Sequence, residues 1–84
     1  MQLTELPNIG PVLAENLRRV GLTSAEEFRA AGVRKAFLQI RLQVDKTACF
    51  HQLTALAGAK AGIPKKDLPP ELKTELRRFF NGLS

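Results

Sequence analysis

The chain has 84 residues, of which 44% are apolar and 25% are charged, a balance typical of one small folded domain. One cysteine and one histidine exclude an internal disulfide and argue against a structural zinc site. No apolar run approaches the roughly 20 residues of a transmembrane helix, and the first residues lack a signal-peptide pattern, so we expect a cytoplasmic protein with no membrane partner. The net charge of +5 is compatible with a nucleic-acid partner, but many domains without one share such a charge.

Proline, glycine and capping residues divide the chain into five predicted helices, and no segment shows the alternation typical of a strand. The first helix covers about residues 11–20, after a short N-terminal turn. The second begins at a predicted capping box of Thr23 and Glu26 and ends at Gly32. The third covers about residues 33–42.

The fourth predicted helix covers about residues 46–61, with Asp45 as its N-cap. Its apolar arc is very wide at 100° per residue, so we predict that it is the central, buried helix. Cys49 lies within this arc and is expected to be a small buried side chain. A narrow strip is predicted to face solvent: His51, Thr54 and Gly58.

The last predicted helix begins at Pro70, where proline is tolerated at the first helical position because its missing N–H would have no partner there. The elements together predict an all-α fold over residues 1–84, with one domain built as a five-helix bundle.

The segment from Leu6 to Leu17 resembles the helix-hairpin-helix motif, roughly L-P-G-h-G-x-x-x-A-x-x-L with h apolar. Asn8 stands where the motif has its first glycine, and asparagine tolerates the left-handed conformation needed there. Free backbone N–H groups at the start of the following helix suit a phosphate. In members of this motif family, such amides bind nucleic-acid phosphates without reading sequence.

We therefore predict a duplex DNA contact at this turn. The amides of Gly10, Val12 and Leu13 would touch phosphates, and two arginines would add charge. Pro11 and Val12 occupy positions where binding members often carry Lys or Arg, so a hairpin that serves packing alone is the alternative. The predicted contact residues are Asn8, Ile9, Gly10, Pro11, Val12, Leu13, Arg18 and Arg19.

A second candidate for phosphate contact is the basic stretch near the C-terminus, whose alternative is an ordinary solvated face. Its residues are Lys60, Lys65, Lys66, Lys73 and Arg77. No aromatic residue interleaves the exposed cations, which argues against a stacking platform for single strands.

Enzymatic chemistry has little support. Cys49 and His51 are two residues apart, about 200° around a helix, so they cannot form a nucleophile–base pair. The carboxylates show no paired spacing, and no glycine-rich nucleotide loop is present. We predict no enzyme activity, no metal and no cofactor.

Beyond the hairpin, further segments along nearly the whole chain match a known family. They are residues 3–10, 19–22, 25–27 and 36–40, Cys49, residues 55–56 and 58–59, and residues 67–70. On these segments the chain resembles the C-terminal domain of the TfoX competence regulators. That resemblance implies a five-helix hairpin-type fold with an N-terminal helix-hairpin-helix of SAM-like arrangement, a link to bacterial competence gene regulation, and a binding or interaction module. The alternative function is a protein adaptor that docks on a regulator or polymerase subunit.

Overall fold

Five α-helices and two short 3₁₀ turns follow one another along residues 1–83, the part of the chain that this computed structural model describes. The described part contains no strand, so the predicted all-α class and the five helices are confirmed. The 3₁₀ turns cover Leu3–Glu5 and Lys65–Asp67. The helices are α1 (Pro11–Arg19), α2 (Ala25–Ala31), α3 (Val33–Gln43), α4 (Phe50–Ala61) and α5 (Pro70–Asn81).

Helix α4 lies at the centre of the bundle. Every residue from Leu53 to Ala59 is buried, as expected for a helix that is apolar on most sides. Helices α3 and α5 and the second 3₁₀ turn pack against it. Phe28 and Phe37 are fully buried and are the largest side chains of the core. The prediction that α4 is the central helix is confirmed.

The start of α4 differs from the prediction. The helix begins at Phe50 rather than near residue 46, and Cys49 is its N-cap. Asp45 closes an earlier turn instead, since its carboxylate accepts hydrogen bonds from the Thr47 amide at 2.9 Å and the Thr47 hydroxyl at 2.6 Å. Because Cys49 precedes the helix, it does not share the buried arc and is exposed. The expectation of a buried Cys49 was wrong.

The predicted solvent-facing strip of α4 is also largely wrong. His51 is exposed, but Thr54 and Gly58 are buried. The Thr54 hydroxyl donates to the His51 carbonyl at 2.8 Å, so its polar group is satisfied without solvent. Gly58 lies beneath the N-terminal turn and the loop after α4, as described below.

The N-cap of α2 lies one residue further along than predicted, and the predicted reciprocal pairing of Thr23 with Glu26 does not form. Ser24 is the N-cap, and its hydroxyl accepts from the Glu27 amide at 3.1 Å. The Glu27 carboxylate in turn accepts from the Thr23 hydroxyl and from the Thr23 amide. These bonds from Thr23 hold the pKa of Glu27 below its usual value. Glu26 instead pairs with the N-terminal ammonium at 3.2 Å.

Candidate nucleic-acid interface

The turn between the first 3₁₀ turn and α1 reverses the chain over residues 6–10. Leu6 and Ile9 are buried and anchor the turn to the core. Asn8 has φ 69°, and it is the sole non-glycine residue with positive φ among those the structure describes. The prediction that asparagine takes the left-handed conformation at the motif's first glycine position is confirmed. A three-residue 3₁₀ turn, rather than a full helix, precedes it.

The side chain of Asn8 ties this turn to the loop after α4. Its Nδ2 donates to the carbonyl of Ile63 at 3.0 Å and to that of Ala55 at 3.4 Å. Its Oδ1 accepts from the backbone amide of Lys65 at 3.1 Å. Asn8 and Ile9 were both predicted as contact residues. The Asn8 side chain is hydrogen-bonded within the fold and Ile9 lies in the core, so both residues fix the turn to the rest of the domain.

Gly58 of α4 makes this attachment possible. A Cβ at position 58 would lie 2.4 Å from Asn8 Nδ2 and 2.7 Å from the Ile63 carbonyl oxygen. Both are far inside contact distance, so no other residue fits there without movement of the turn or the loop. The turn therefore rests directly on the backbone of the central helix.

The outward side of the turn carries free backbone donors. Gly10 is the N-cap of α1, Pro11 is its first residue, and the Val12 side chain is 76% exposed. From Gly10 onward, the first backbone amide with a partner is that of Ala14, which donates to the Gly10 carbonyl at 3.0 Å. The amides of Gly10, Val12 and Leu13 have no acceptor among residues 1–83. Such a group of donors at a helix N-terminus suits an anion.

The predicted basic stretch is divided by the fold. Four of its five residues line one shallow hollow of about 280 Å³ beside Phe50, His51 and Thr54. Within it, the Arg77 guanidinium lies 3.7 Å from the centre of the Phe50 ring. Lys60 lies instead on a second groove with Arg34 and Lys35. The four residues that stay together are here named the basic cluster: Lys65, Lys66, Lys73 and Arg77.

The turn and the basic cluster lie along the same side of α4. Gly58 supports the turn, and Thr54, about one helical turn earlier, lines the hollow of the cluster. The Asn8–Lys65 hydrogen bond joins the two directly. Lys65, from a distant part of the sequence, is therefore tied through its backbone to the turn that lacks a cation at Pro11 and Val12. Sequence reasoning missed this junction, because no local pattern pairs residue 8 with residue 65.

Arg18 and Arg19 lie at the opposite end of α1, roughly 10 Å along its axis from Pro11. Both pair with Glu15, Arg18 at 3.6 Å and Arg19 at 3.5 Å. They are thus separate from the turn and already share a carboxylate.

The comparisons with known proteins agree with this architecture. A family model described as the TfoX C-terminal domain matches residues 1–80. The chain belongs to the TfoX C-terminal domain family. No curated protein matches it at a significant level.

This TfoX C-terminal domain is also similar to two crystal structures of Listeria monocytogenes proteins. One is of an uncharacterized protein in a triclinic form, with 38% identity and a TM-score of 0.96 over 99% of this chain and 93% of that chain. The other is of a protein of unknown function in a tetragonal form, with 38% identity and a TM-score of 0.95 over 99% of this chain and 100% of that chain. The fold is therefore shared over essentially the full length of all three chains.

Neither a cluster of metal-ligating side chains nor a membrane-spanning helix is present in the described residues. Across residues 1–83, no group of three or more His, Cys, Asp or Glu side chains is placed to hold a metal ion. None of the helices in the described range is both long and apolar enough to span a bilayer. The free backbone donors and the basic cluster have the chemistry that suits an anion.

Proposed function

We propose that this TfoX C-terminal domain is a cytoplasmic binding module, not an enzyme, and that it holds the phosphate backbone of duplex DNA in competence or transcription regulation. The observation that carries the proposal is the link between Asn8 and Lys65. It ties the turn that carries the free amides of Gly10, Val12 and Leu13 to the backbone of Lys65 in the basic cluster, which supports a single interface where donors and charge act on one polyanion.

The two parts of this interface supply complementary chemistry. The amides at the start of α1 give directional hydrogen bonds, strengthened by the positive end of the helix dipole. The cations of the basic cluster give attraction that depends on salt. If all four cations neutralise phosphates, the logarithm of affinity falls with the logarithm of salt with a slope of about −3.6. Affinity would then drop roughly a hundredfold between 50 and 200 mM salt.

The interface offers little means of reading bases. Its three lysines act as point charges. Its arginine is stacked on Phe50, which leaves less of the guanidinium free for the two-pronged contact that recognises guanine. We therefore propose binding without sequence preference. Phe50 is half-buried beneath Arg77, so stacking on single-stranded bases is not favoured either.

The test is a titration of a labelled duplex with the wild-type domain and two charge-matched variants, followed by fluorescence anisotropy. The double variant Lys65→Gln/Lys66→Gln removes two charges from the interface. The control Lys35→Gln/Lys60→Gln removes two charges elsewhere. We expect the first to lose at least about tenfold in affinity at low salt and to flatten the slope by about 1.8, and the control to stay within about twofold.

Amide NMR shifts give an independent readout of the same titration. Shifts at residues 10–13 and 65–66 that fade with salt would support the proposal. No shift at millimolar duplex, or equal losses in both double variants, would refute it, because attraction would then be absent or would reflect net charge alone.

A further inference from the structure

The groove that Lys60 shares with Arg34 and Lys35 lies away from the basic cluster. It has a volume of about 730 Å³, within the range of about 300–1,000 Å³ typical of ligand sites. Its walls come from the α2–α3 junction, the C-terminal half of α4 and the first half of α5. We name it the α3–α5 groove. Its apolar lining includes Val33, Ala57, Leu72 and Leu76.

Small residues make the floor of this groove accessible to another backbone. Gly32 lies on one side, and Ala57 and Ala61 lie on the other. Ala61 is exposed and ends α4, so the groove opens at that end of the helix. Small side chains allow two helices to approach closely, and leucines beside them offer surface for apolar anchors.

The charged residues of the groove are all basic. Arg34 and Lys35 lie on the α3 side and Lys60 on the α4 side, and no carboxylate is among the lining residues. Lys60 Nζ lies 3.9 Å from where a Cβ of Gly32 would be, so this ammonium reaches across towards the α2–α3 junction. None of these three cations forms an ion pair within the described residues.

A ligand of this groove needs both apolar groups for its lining and negative charge for its three cations. A nucleic acid offers phosphates but no apolar anchors for the leucines. A second copy of this chain would bring another net charge of +5 against the three cations. A helix with apolar residues on one stripe and Asp or Glu beside it satisfies both requirements.

We infer that the α3–α5 groove binds an amphipathic helix of a partner protein, with leucine-like anchors against Val33, Leu72 and Ala61 and with carboxylates paired to Arg34, Lys35 and Lys60. The inference goes beyond the proposed DNA contact and does not rest on it. The two surfaces would allow the domain to hold DNA and a protein together.

The probe is a labelled synthetic peptide roughly 16 residues long, with leucines spaced at i, i+4 and i+7 and glutamates beside them. Its twin has every glutamate replaced by lysine. We expect the acidic peptide to shift the amides of Gly32, Lys35, Lys60 and Ala61 and the basic twin to bind at least about tenfold more weakly.

Three variants locate the contact. Lys35→Glu/Lys60→Glu should weaken the acidic peptide at least about tenfold, and Lys65→Glu/Lys66→Glu, with the same change in charge, should leave it within about twofold. Ala61→Gln, at an exposed position, should block the open end of the groove without a change in charge.

Any of three results would overturn the inference. These are no amide shift at millimolar acidic peptide, equal binding of the basic twin, or shifts confined to the basic cluster (Lys65, Lys66, Lys73 and Arg77). Duplex DNA that shifts Gly32 and Ala61 would also overturn it, since the groove would then belong to the nucleic-acid surface. If duplex DNA fails to bind but the acidic peptide still shifts the groove amides, the proposed DNA contact is refuted and the inference about the groove is supported.

Discussion

The basic cluster and the α3–α5 groove carry similar charge, but the hollows that their cations surround differ in size and in lining. The cluster holds four cations over a shallow hollow of about 280 Å³, and the Asn8–Lys65 hydrogen bond ties it to the N-terminal turn. The groove holds three cations around a mostly apolar hollow of about 730 Å³. The apolar lining of the groove therefore distinguishes it, as a surface suited to an acidic apolar segment, from the basic cluster, which is suited to phosphates.

Helix α5 contributes to both surfaces through adjacent residues. Leu72 and Leu76 line the groove, while Lys73 and Arg77, one position further along, line the basic cluster. A step of 100° per residue turns each of these neighbours towards a different side of the helix. One 12-residue helix thus lines both hollows.

The largest expected effect is a loss of stability on substitution of Gly58, which lies beneath the N-terminal turn. Gly58→Ala places a Cβ 2.7 Å from the Ile63 carbonyl oxygen, so the turn or the loop must shift. We expect a loss of about 1–3 kcal/mol in the free energy of unfolding, measured by urea denaturation. Gly82→Ala is the matched control, because its Cβ would meet only ordinary contacts at 3.5 Å. Equal stability of the two variants would contradict the close packing at Gly58.

Asn8→Gly separates the conformation of the turn from its attachment. Glycine keeps the positive φ but loses the three side-chain hydrogen bonds to Ala55, Ile63 and Lys65. We expect about 1–2 kcal/mol of destabilisation, together with weaker DNA binding and unchanged binding of the acidic peptide. Wild-type affinity for DNA in a folded Asn8→Gly domain would show that the turn need not be fixed to Lys65.

Val12→Lys tests whether the turn faces the polyanion. The side chain is 76% exposed, so the change adds a cation with little effect on folding. We expect duplex affinity to rise several-fold at low salt and the salt slope to steepen by about 0.9. Leu42→Lys is the control, since Leu42 is also 76% exposed and lies on α3. An equal gain in both variants would point to net charge rather than to docking at the turn.

The smallest effect concerns pH and lies outside both surfaces. Hydrogen bonds from Thr23 lower the pKa of Glu27, and those from Thr47 lower the pKa of Asp45. Lowered carboxyl pKa values stabilise the fold above the unfolded-state pKa, and this contribution is lost as pH falls through the folded-state values. We expect urea denaturation to show a modest loss of stability on acidification, reduced in Glu27→Gln. An unchanged pH profile in that variant would contradict a stabilising role for these bonds.

Local signals predicted most of the secondary structure. Prolines at positions 11 and 70 open α1 and α5, and Gly32 ends α2, because these residues restrict or free the backbone wherever they occur. One error came where two adjacent residues could fill one role, since Ser24 rather than Thr23 caps α2. A second came where a capping residue served a different element, since Asp45 closes a turn before α4 and Cys49 is the N-cap of α4.

The candidate site was predicted only in part. The motif indicated the turn and its free amides, and composition indicated the basic stretch. The structure then separated Lys60 from that stretch and placed Arg18 and Arg19 at the far end of α1. Helical spacing locates residues on one helix, but it says nothing of how two distant segments meet.

The sequence by itself determined the helical class, the central role of α4 and the left-handed turn at Asn8, because each follows from side-chain chemistry within a few neighbouring residues. The tertiary structure alone decided that Asn8 joins Lys65 across 57 positions and that Thr54 and Gly58 lie inside. The reason is physical: burial and long-range hydrogen bonds depend on which surfaces pack together, and local periodicity leaves that choice open.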